Sequence, residues 1–503
     1  MTLSPSQAKV LRRVSALLLG ALSVLAYAPF SYGVILLPVL ALLIWFWRMD
    51  ATPREAAITG YCFGLGQMGV GASWVNVSIT QFGGMPEAAS IAITFLFVMI
   101  VAAYFALLAW AARRLYTESY EAVWALLIVP ATWGLVEWIR SWLFTGFPWL
   151  SLGYSQIDLP LTGFAPLLGV FGVSVMLVVS AGFVYLWRRW WAIICLAGFW
   201  LLAAGLNQLS WVEKDGEAFE VSIVQPSIPQ SEKWLPEAFQ PTLRLYQQMT
   251  DAAPNSRLVI WPETAVPAFN TRVEESFLQP LHEILSERNQ DLLLGIPYKE
   301  TEAVYYNAMI SLGVTGRDSY FKRHLVPFGE YVPLDFLLRP VIDLLHIPMS
   351  DFSRGDESKQ PLIELAGYQV GVDICYEDAF GSEIIKAMPQ ARFLVNASND
   401  AWFGDSFAPH QHLEIARMRA LESGRYLLRA TNTGVSAFID EKGRLIKIAP
   451  LFERVLLQGQ VQPMQGVTPY AALGNIGLMV LLLLMFFAAW VISLSKARWA
   501  SGH

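Results

Sequence analysis

The sequence predicts an α/β domain of about 250 residues inserted into a polytopic α-helical membrane bundle. Hydrophobic residues make up 55% of the 503-residue chain and charged residues only 15%. The apolar residues are concentrated in long runs before residue 210 and after residue 469, and β-rich and helix-like runs alternate in the stretch between them. The predicted division is therefore a membrane bundle at 1–209, a soluble domain at 210–469, and a final helix with its tail at 470–503.

Eight apolar runs are candidates for membrane helices, because one span needs about 20 apolar residues. They lie at 10–27, 32–47, 56–75, 88–112, 122–139, 161–187, 190–209 and 471–494. The first run follows Lys9, Arg12 and Arg13, as the apolar part of a signal peptide does. Seven further runs favour a first helix that is retained rather than cleaved.

Basic residues in the short loops predict the orientation of these helices. With eight helices, Arg140 is the single basic residue in the short loops on one side, and all the others fall on the opposite side. The basic side is expected in the cytoplasm. The soluble domain between the seventh and eighth helices is then expected outside it, which in a bacterium is the periplasm.

Charge and motif content exclude several classes of partner. The formal net charge of −6 argues against a nucleic-acid-binding surface. The sequence contains no Cys/His cluster with zinc spacing and no phosphate-binding glycine loop. We therefore expect no metal, no soluble cofactor and no nucleic-acid partner.

Cys375 is the one cysteine outside the strongly apolar stretches, since Cys62 and Cys195 lie within them. It follows a strand pattern at 368–374 and precedes a helix pattern at 381–388. The partial positive charge at a helix N-terminus favours a thiolate, so this position suits a nucleophile. The alternative is a buried structural cysteine, which is the commoner role of a single cysteine.

Glu263 and Lys322 also stand at the ends of β-like runs, where open α/β sheets hold their sites. A carboxylate, an amine and a thiol are the groups needed for covalent acyl transfer. In this interpretation Glu263 is the general base and Cys375 the nucleophile. Lys322 stabilises the oxyanion, together with the backbone N–H after the cysteine. Taken singly, Glu263 and Lys322 are each also explained as solvated surface charges.

Six ordered motifs in this region resemble the nitrilase superfamily, whose members use a Glu–Lys–Cys triad on an αββα sandwich. The motifs are WPE at 261–263, KRHLVPFGE at 322–330, DICYE at 373–377, SNDAWFG at 398–404, RMRALE at 417–422 and RATNTG at 429–434. The resemblance implies the same nitrilase-like αββα sandwich here, with Glu263, Lys322 and Cys375 as its triad.

Motifs outside the triad are similar to those of the apolipoprotein N-acyltransferase family, in which a periplasmic nitrilase-like domain precedes the last of eight membrane helices. They are FGGMP at 82–86, TGFPW at 145–149, GYSQID at 153–158 and IPQSEKW at 228–234. With the six motifs above, this resemblance extends over nearly the whole chain.

The resemblance also implies roles for residues around the triad. Glu330 is expected to be a second essential glutamate, with a loop surface charge as the alternative. Tyr376 and Glu377 flank the nucleophile and are expected to shape the pocket. Trp234 resembles a tryptophan near the lipid entry, although an ordinary interfacial tryptophan is the alternative. Arg140 is expected either to bind a lipid phosphate or to pair with the glutamate one helical turn before it.

The implied reaction has two steps and no cofactor. Cys375 takes an acyl chain from a phospholipid, expected to be phosphatidylethanolamine, as a thioester. The N-terminal amine of the diacylglyceryl-cysteine of an apolipoprotein then accepts the chain, which completes lipoprotein maturation. We expect a multi-pass, monomeric enzyme of the bacterial inner membrane with its catalytic domain in the periplasm.

Three other functions use some of the same features. A membrane-tethered amidase would have the same triad with water as acceptor, but it has no need of a helical bundle. A transporter usually carries charges inside its membrane helices, and few are present here. A scaffold without activity is disfavoured by the intact Glu263, Lys322 and Cys375.

Overall fold

The computed structural model describes residues 4–332, 335–336, 339 and 351–500. The chain folds into two compact units. The first consists of Met1–Asn76, Pro86–Ser210 and Leu473–His503, and the second of Val77–Met85 and Trp211–Ala472. The short segment Val77–Met85 therefore belongs to the second unit, although the sequence-based division grouped it with the helical bundle.

The first unit is helical, and each of the eight predicted apolar runs lies largely on a helix. Its longer α-helices are Pro5–Ser23, Leu36–Met49, Pro53–Gly71, Glu87–Arg114, Val129–Arg140, Ala165–Tyr185, Trp190–Leu206 and Ile476–Ala500. Shorter 3-10 and π-helical turns, such as Pro160–Phe164 and Trp124–Ile128, precede some of them.

Four helical stretches of the described chain are long and apolar enough to cross a membrane: Glu87–Arg114, Glu118–Arg140, Pro160–Tyr185 and Ile476–Leu494. Two further apolar helices, Gly33–Met49 and Trp190–Leu206, are shorter. The helix Pro5–Ser23 carries Lys9, Arg12 and Arg13 in its N-terminal half, and the helix Pro53–Gly71 carries Arg54 and Glu55 in its first turn. Length and composition alone thus support four spans of the eight predicted.

Small residues explain the close packing of the helices Pro5–Ser23 and Pro53–Gly71. A Cβ atom at Gly20 would lie 2.0 Å from the Phe63 carbonyl oxygen, and one at Gly66 would lie 2.0 Å from the Leu17 carbonyl oxygen. Only glycine permits the two backbones to approach this closely, as in other helix pairs packed through small residues.

The described residues of the second unit form two six-stranded sheets and one two-stranded ribbon. The strands are β1 Val212–Lys214, β2 Phe219–Gln225, β3 Leu258–Ile260, β4 Asp291–Lys299, β5 Tyr305–Gly313, β6 Ser319–Phe321, β7 Leu362–Leu365, β8 Tyr368–Ile374, β9 Phe393–Ser398, β10 Leu427–Thr431, β11 Ala437–Ile439, β12 Leu445–Ile448, β13 Val455–Val461 and β14 Met464–Gly466. One sheet has the order β13-β2-β3-β4-β5-β6, the other β12-β11-β10-β9-β8-β7, and β1 pairs with β14.

The two large sheets pack face to face around a common core, to which both contribute β-branched and aliphatic side chains such as Ile223, Ile260, Val372 and Val395. This packing buries the inner face of each sheet, and apolar burial of this kind is the main force that holds sheets together.

Helices cover the outer faces of the two sheets. The helices Pro236–Asp251 and Gln279–Glu287 pack on the first sheet through a cluster that includes Tyr246 and Leu285. The helix Ala408–Ser423 packs on the second through Leu413, Ala416 and Ala420. The predicted αββα layering is therefore present. The parallel strand pairs β2–β3, β3–β4, β8–β9 and β9–β10 place several strand ends at the same edges.

Candidate active site

The three predicted catalytic residues lie together in the second unit, each just after a strand. Glu263 follows β3, Lys322 directly follows β6 and Cys375 directly follows β8. All three are buried, with 7%, 1% and 8% of the residue exposed. Lys322 Nζ lies 3.6 Å from Glu263 Oε1, and the charges of both residues act on the pKa of the Cys375 thiol. The alternative of solvated surface charges is therefore wrong for Glu263 and Lys322.

The backbone around Glu263 is shaped by a close approach between strands. A Cβ atom at Gly295 would lie 2.4 Å from the Thr264 nitrogen and 2.7 Å from the Glu263 Cα. Thr264 itself has φ +51°, in the left-handed region that β-branched residues rarely adopt. Glycine at 295 thus allows the sharp turn that directs the Glu263 carboxylate inward.

Asn307 joins the two buried carboxylates of the site. Its Nδ2 donates to Glu263 Oε1 at 2.7 Å and to Glu330 Oε1 at 2.9 Å. Sequence reasoning missed this residue, because a single asparagine inside a strand pattern has no motif of its own. The sequence did contain one signal, because Asn307 is a polar residue beside the mostly apolar residues of β5.

Lys322 is held as a charged ammonium by acidic neighbours. Its Nζ is 2.9 Å from the Glu330 carboxylate, whose Oε2 also accepts a hydrogen bond from the Val326 amide at 2.8 Å. Burial lowers the pKa of Lys322, but the charges of Glu330, Glu263 and Cys375 outweigh it, so the pKa of Lys322 is raised above its ordinary value. A fixed positive charge beside the thiol is suited to stabilising a developing oxyanion.

The nucleophile segment is strained and firmly held. Cys375 has φ +53°, which is unfavourable for a residue with a side chain. Its carbonyl oxygen accepts from Asn396 Nδ2 at 3.3 Å and lies 3.3 Å from His412 Nε2. These contacts fix the orientation of the Cys375 peptide, and hence of the thiol.

Burial raises the pKa of the Cys375 thiol well above its ordinary value, and the charge of Glu263 raises it further. The charge of Lys322 and a hydrogen bond from Ser398 act in the opposite direction but do not outweigh burial. The prediction that a helix N-terminus favours the thiolate is therefore wrong. The segment Cys375–Ala379 is a short 3-10 helix, and desolvation dominates.

Glu377 ties the segment after Lys322 to the segment of the nucleophile. Its Oε1 accepts from the amides of Arg323 at 2.7 Å and His324 at 3.0 Å, and its Oε2 from the Tyr320 hydroxyl at 2.9 Å and the Ile374 amide at 2.8 Å. Four donors around a buried carboxylate make Glu377 a rigid connector.

Tyr376 packs beside this connection. Its ring contacts Phe380 edge-on, with 5.1 Å between centroids, and lies 5.9 Å from the ring of His324. Tyr376 is half-buried and directly follows the nucleophile in the chain, and its predicted role in shaping the pocket stays a prediction.

A buried network of charged side chains contacts the backbone of the nucleophile through His412. Arg429 donates to Asp378 at 3.1 Å and to Asp400 at 3.0 Å, while His412 lies 2.8 Å from Asp378 and 2.9 Å from Asp400. Burial and the Arg429 charge lower the pKa of His412, but the two aspartates outweigh them and raise it to about 9. His412 is therefore an imidazolium at neutral pH.

Trp234 lies in the second unit and Arg140 in the first. Trp234 is 55% exposed in the turn before the helix Pro236–Asp251. Arg140 is buried in the first unit, where its Nη2 donates to Ser151 Oγ at 3.1 Å. Glu137, one helical turn before it, is also buried and accepts from the Leu152 amide at 2.9 Å. The substrate-binding roles of Trp234 and Arg140 stay predictions.

Within the described ranges, no group of three or more His, Cys, Asp or Glu side chains is arranged to hold a metal ion. The cluster thus offers a base, a nucleophile and a cation that converge at strand ends, which is an arrangement suited to nucleophilic acyl transfer.

Comparison with known proteins covers both units. Residues 19–183 match the apolipoprotein N-acyltransferase N-terminal domain, and residues 220–470 match the carbon-nitrogen hydrolase domain. The chain is 48% identical over 464 residues to the apolipoprotein N-acyltransferase of Methylococcus capsulatus, covering 91% of each chain. It is 44% identical over 496 residues to that of Nitrosomonas europaea, covering 97% of this chain and 98% of the relative. With that of Photobacterium profundum, the identity is 37% over 489 residues.

Proposed function

The chain belongs to the apolipoprotein N-acyltransferase family of enzymes, and we propose that it transfers an acyl chain from a phospholipid to the N-terminal amine of a diacylglyceryl-cysteine on an apolipoprotein. The observation that carries this proposal is the convergence of Glu263, Lys322 and Cys375. The 3.6 Å between Lys322 Nζ and Glu263 Oε1, beside a buried thiol, supports covalent transfer through a thioester.

In the first step, Glu263 accepts the proton of the Cys375 thiol, and the thiolate attacks the ester carbonyl of the phospholipid. This attack forms a C–S bond, and the ester C–O bond then breaks. The leaving lysophospholipid oxygen takes the proton from Glu263. The products are an acyl-Cys375 thioester and a lysophospholipid. Because the raised pKa of Cys375 leaves little free thiolate, a base at Glu263 is essential to this step.

In the second step, the amine of the apolipoprotein attacks the thioester carbonyl. Glu263 accepts a proton from the amine, an amide C–N bond forms, and the C–S bond breaks. The thiolate of Cys375 regains the proton, which restores the resting enzyme. Splitting one transfer into two covalent steps allows two large substrates to use the same site in turn.

Both steps develop negative charge on the carbonyl oxygen. We assign its stabilisation to the Lys322 ammonium and to the backbone N–H of Tyr376. Glu330 holds Lys322 through the 2.9 Å ion pair, and Glu377 holds the segments that carry both groups. Fixed charges in a buried site need no reorganisation during the reaction, which is why they lower the barrier effectively.

The setting we propose is the bacterial inner membrane. The four long apolar helices support membrane insertion, and we propose eight spans in total with the catalytic unit in the periplasm. Phosphatidylethanolamine is the proposed donor, and the enzyme is proposed to act as a monomer. Trp234 is proposed to contact the lipid substrates, as its exposed ring permits. For Arg140 we propose binding of a lipid phosphate in the first unit, with pairing to Glu137 as the alternative.

Intact-protein mass spectrometry tests the proposal directly. The purified enzyme is incubated with phosphatidylethanolamine, with and without a diacylated lipopeptide, and the site of any adduct is mapped by peptide analysis. We expect an acyl-sized mass increase on Cys375 that the lipopeptide discharges. An active protein that shows no adduct, and that instead releases ammonia from small amides, would identify a membrane-tethered amidase.

A further inference from the structure

Lys233 is a buried cation at the catalytic centre that the two-step mechanism does not use. It is 2% exposed, although its neighbour Trp234 is 55% exposed. Two overlapping turns direct the Lys233 side chain inward. In them, the amides of Glu232 and Lys233 donate to the Pro229 carbonyl at 3.0 and 3.1 Å, respectively. Its Nζ donates to the backbone carbonyl of Glu263 at 3.3 Å.

Burying a lysine is unfavourable unless its charge is compensated. Burial lowers the pKa of Lys233 to about 8, and the charge of Glu263 partly opposes this shift. A methionine would fill the same space without that cost, so packing alone does not account for a lysine. The contact with the Glu263 peptide is the specific interaction that the ammonium adds.

The segment that carries Lys233 is attached to the walls of the site. The Ile228 amide donates to Asn432 Oδ1 at 3.0 Å, and Asn432 Nδ2 donates to the Ile228 carbonyl at 2.8 Å. Gln230 Oε1 accepts from Asn399 Nδ2 at 2.9 Å. Lys233 is thus the point at which this segment reaches the general base itself.

We propose that Lys233 is a positioning residue for the acyl transfer. Its ammonium holds the Glu263 peptide in place and adds a positive charge beside the Glu263 carboxylate. Because Trp234 is the next residue, an outward movement of the segment would withdraw this charge from the base. The position of the lipid-contacting segment would thereby set the competence of Glu263. This inference rests on the proposed two-step acyl transfer.

Several charged groups face Glu263, and the contribution of Lys233 adds to theirs. Lys322 lies 3.6 Å from its Oε1, and Cys375 interacts with it electrostatically. Glu330 shares the Asn307 amide with it. Of these groups, only Lys233 comes from the segment before the helix Pro236–Asp251. Replacing Lys233 therefore removes the interaction of this segment with Glu263 and leaves the other charged groups in place.

The test compares Lys233→Met, Lys233→Arg and the exposed control Lys214→Met in the full-length enzyme in detergent. Acylation of Cys375 by phosphatidylethanolamine is followed in a single turnover by mass. Alkylation of Cys375 by iodoacetamide is followed from pH 6 to 10 and requires no lipid. Thermal unfolding is recorded for each protein. Burial lowers the pKa of Lys233, so its charge is unfavourable in this position and Lys233→Met should fold.

We expect Lys233→Met to slow acylation about 10- to 100-fold, the loss typical of a misplaced catalytic group. The KM for the lipid and the melting temperature should stay close to those of the wild type. Below pH 8, where Lys233 is charged, alkylation of Lys233→Met should be slower than that of the wild type because the base loses a neighbouring cation. Lys233→Arg should recover part of the acylation rate. Lys214→Met should match the wild type throughout.

Other outcomes would overturn the inference. Wild-type acylation and alkylation by Lys233→Met would remove Lys233 from the mechanism. A sharp fall in its melting temperature, with an unchanged alkylation profile, would assign the residue to stability alone. Absence of a lipid adduct on the wild-type enzyme would instead count against the proposed function, while the alkylation profiles would still report on the interaction of Lys233 with Glu263.

Discussion

Lys322 lies closer to Glu330 than to Glu263, its proposed catalytic partner. Its Nζ is 2.9 Å from the Glu330 carboxylate and 3.6 Å from Glu263 Oε1. Glu330 therefore provides the permanent counter-ion for the buried ammonium. This arrangement leaves the Glu263 carboxylate available to accept protons, which a tight ion pair with Lys322 would hinder.

Replacing Glu330 tests this division of roles. In Glu330→Gln the ammonium should move toward Glu263, the remaining carboxylate, and neutralise the base. We expect single-turnover acylation of Cys375 to slow at least about tenfold, with a lower melting temperature because a buried charge has lost its partner. The exposed control Glu364→Gln should leave both unchanged. Full activity of Glu330→Gln would show that Lys322 does not depend on Glu330 for its position.

The triad variants test the covalent mechanism. Cys375→Ala should abolish acyl transfer and the mass adduct, and Cys375→Ser should leave little of either. Glu263→Gln and Lys322→Ala should each reduce the rate by orders of magnitude while the protein stays folded, as measured by acylation rate and thermal unfolding. Cys62→Ala serves as the control for the thiol. A Cys62→Ala enzyme that folded but failed to transfer would contradict the assignment of Cys375.

Motifs and strand patterns allowed much of the catalytic unit to be predicted. The strand β8 has the predicted bounds, and Glu263, Lys322 and Cys375 converge as expected. Short strands such as β7 and β12 were not predicted, because four residues give too little alternation to recognise. Length and composition likewise do not settle how many of the eight apolar runs cross a membrane.

Contacts between distant segments could not be predicted from the sequence. The role of Lys233 depends on the Glu263 carbonyl that its Nζ contacts, and the bridging role of Asn307 depends on the register of β5 beside β6. The protonation of Cys375 was predicted wrongly because burial outweighs the local backbone. Each of these features depends on what the fold brings near a residue, which its neighbours in the chain do not reveal.

Asn307 offers a test of one such contact. Asn307→Ala removes the amide that donates to both Glu263 and Glu330, and the two carboxylates then face each other without a shared donor. We expect the acylation rate to fall by about tenfold or more, since a hydrogen bond to a charged group contributes about 1.5–3 kcal/mol. Asn307→Asp should be worse, because it adds a third negative charge. The exposed Asn255→Ala is the control, and equal rates for Asn255→Ala and Asn307→Ala would contradict the bridge.

His412 predicts how stability depends on pH. Its pKa is raised to about 9 in the folded protein, above the ordinary value of 6.5. The protonated His412 stabilises the fold by on the order of 3 kcal/mol, and this contribution is fully present below pH 6.5. It is lost as the pH rises through 9, where His412 loses its proton. The melting temperature should therefore fall between pH 7 and 9.5. In His412→Gln this dependence should flatten, whereas His410→Gln should retain it. An equal slope in both variants would exclude His412 as the titrating group.

The burial of the Cys375 thiol predicts how its reactivity toward alkylating reagents depends on pH. Burial and the Glu263 charge raise the pKa of Cys375, so the resting enzyme holds a thiol rather than a thiolate at neutral pH. Alkylation by iodoacetamide should therefore be slow at pH 7 and increase about tenfold per pH unit through pH 8, since only the thiolate reacts.

Glu263→Gln removes the negative charge that raises the thiol pKa, so its alkylation should begin at lower pH even though its acyl transfer is lost. Faster alkylation combined with lost transfer would separate the electrostatic effect of Glu263 from its role as a base. A wild-type rate that is already at its plateau at pH 7 would mean that the thiolate is stabilised in the resting enzyme and that proton transfer to Glu263 is not needed to start the reaction.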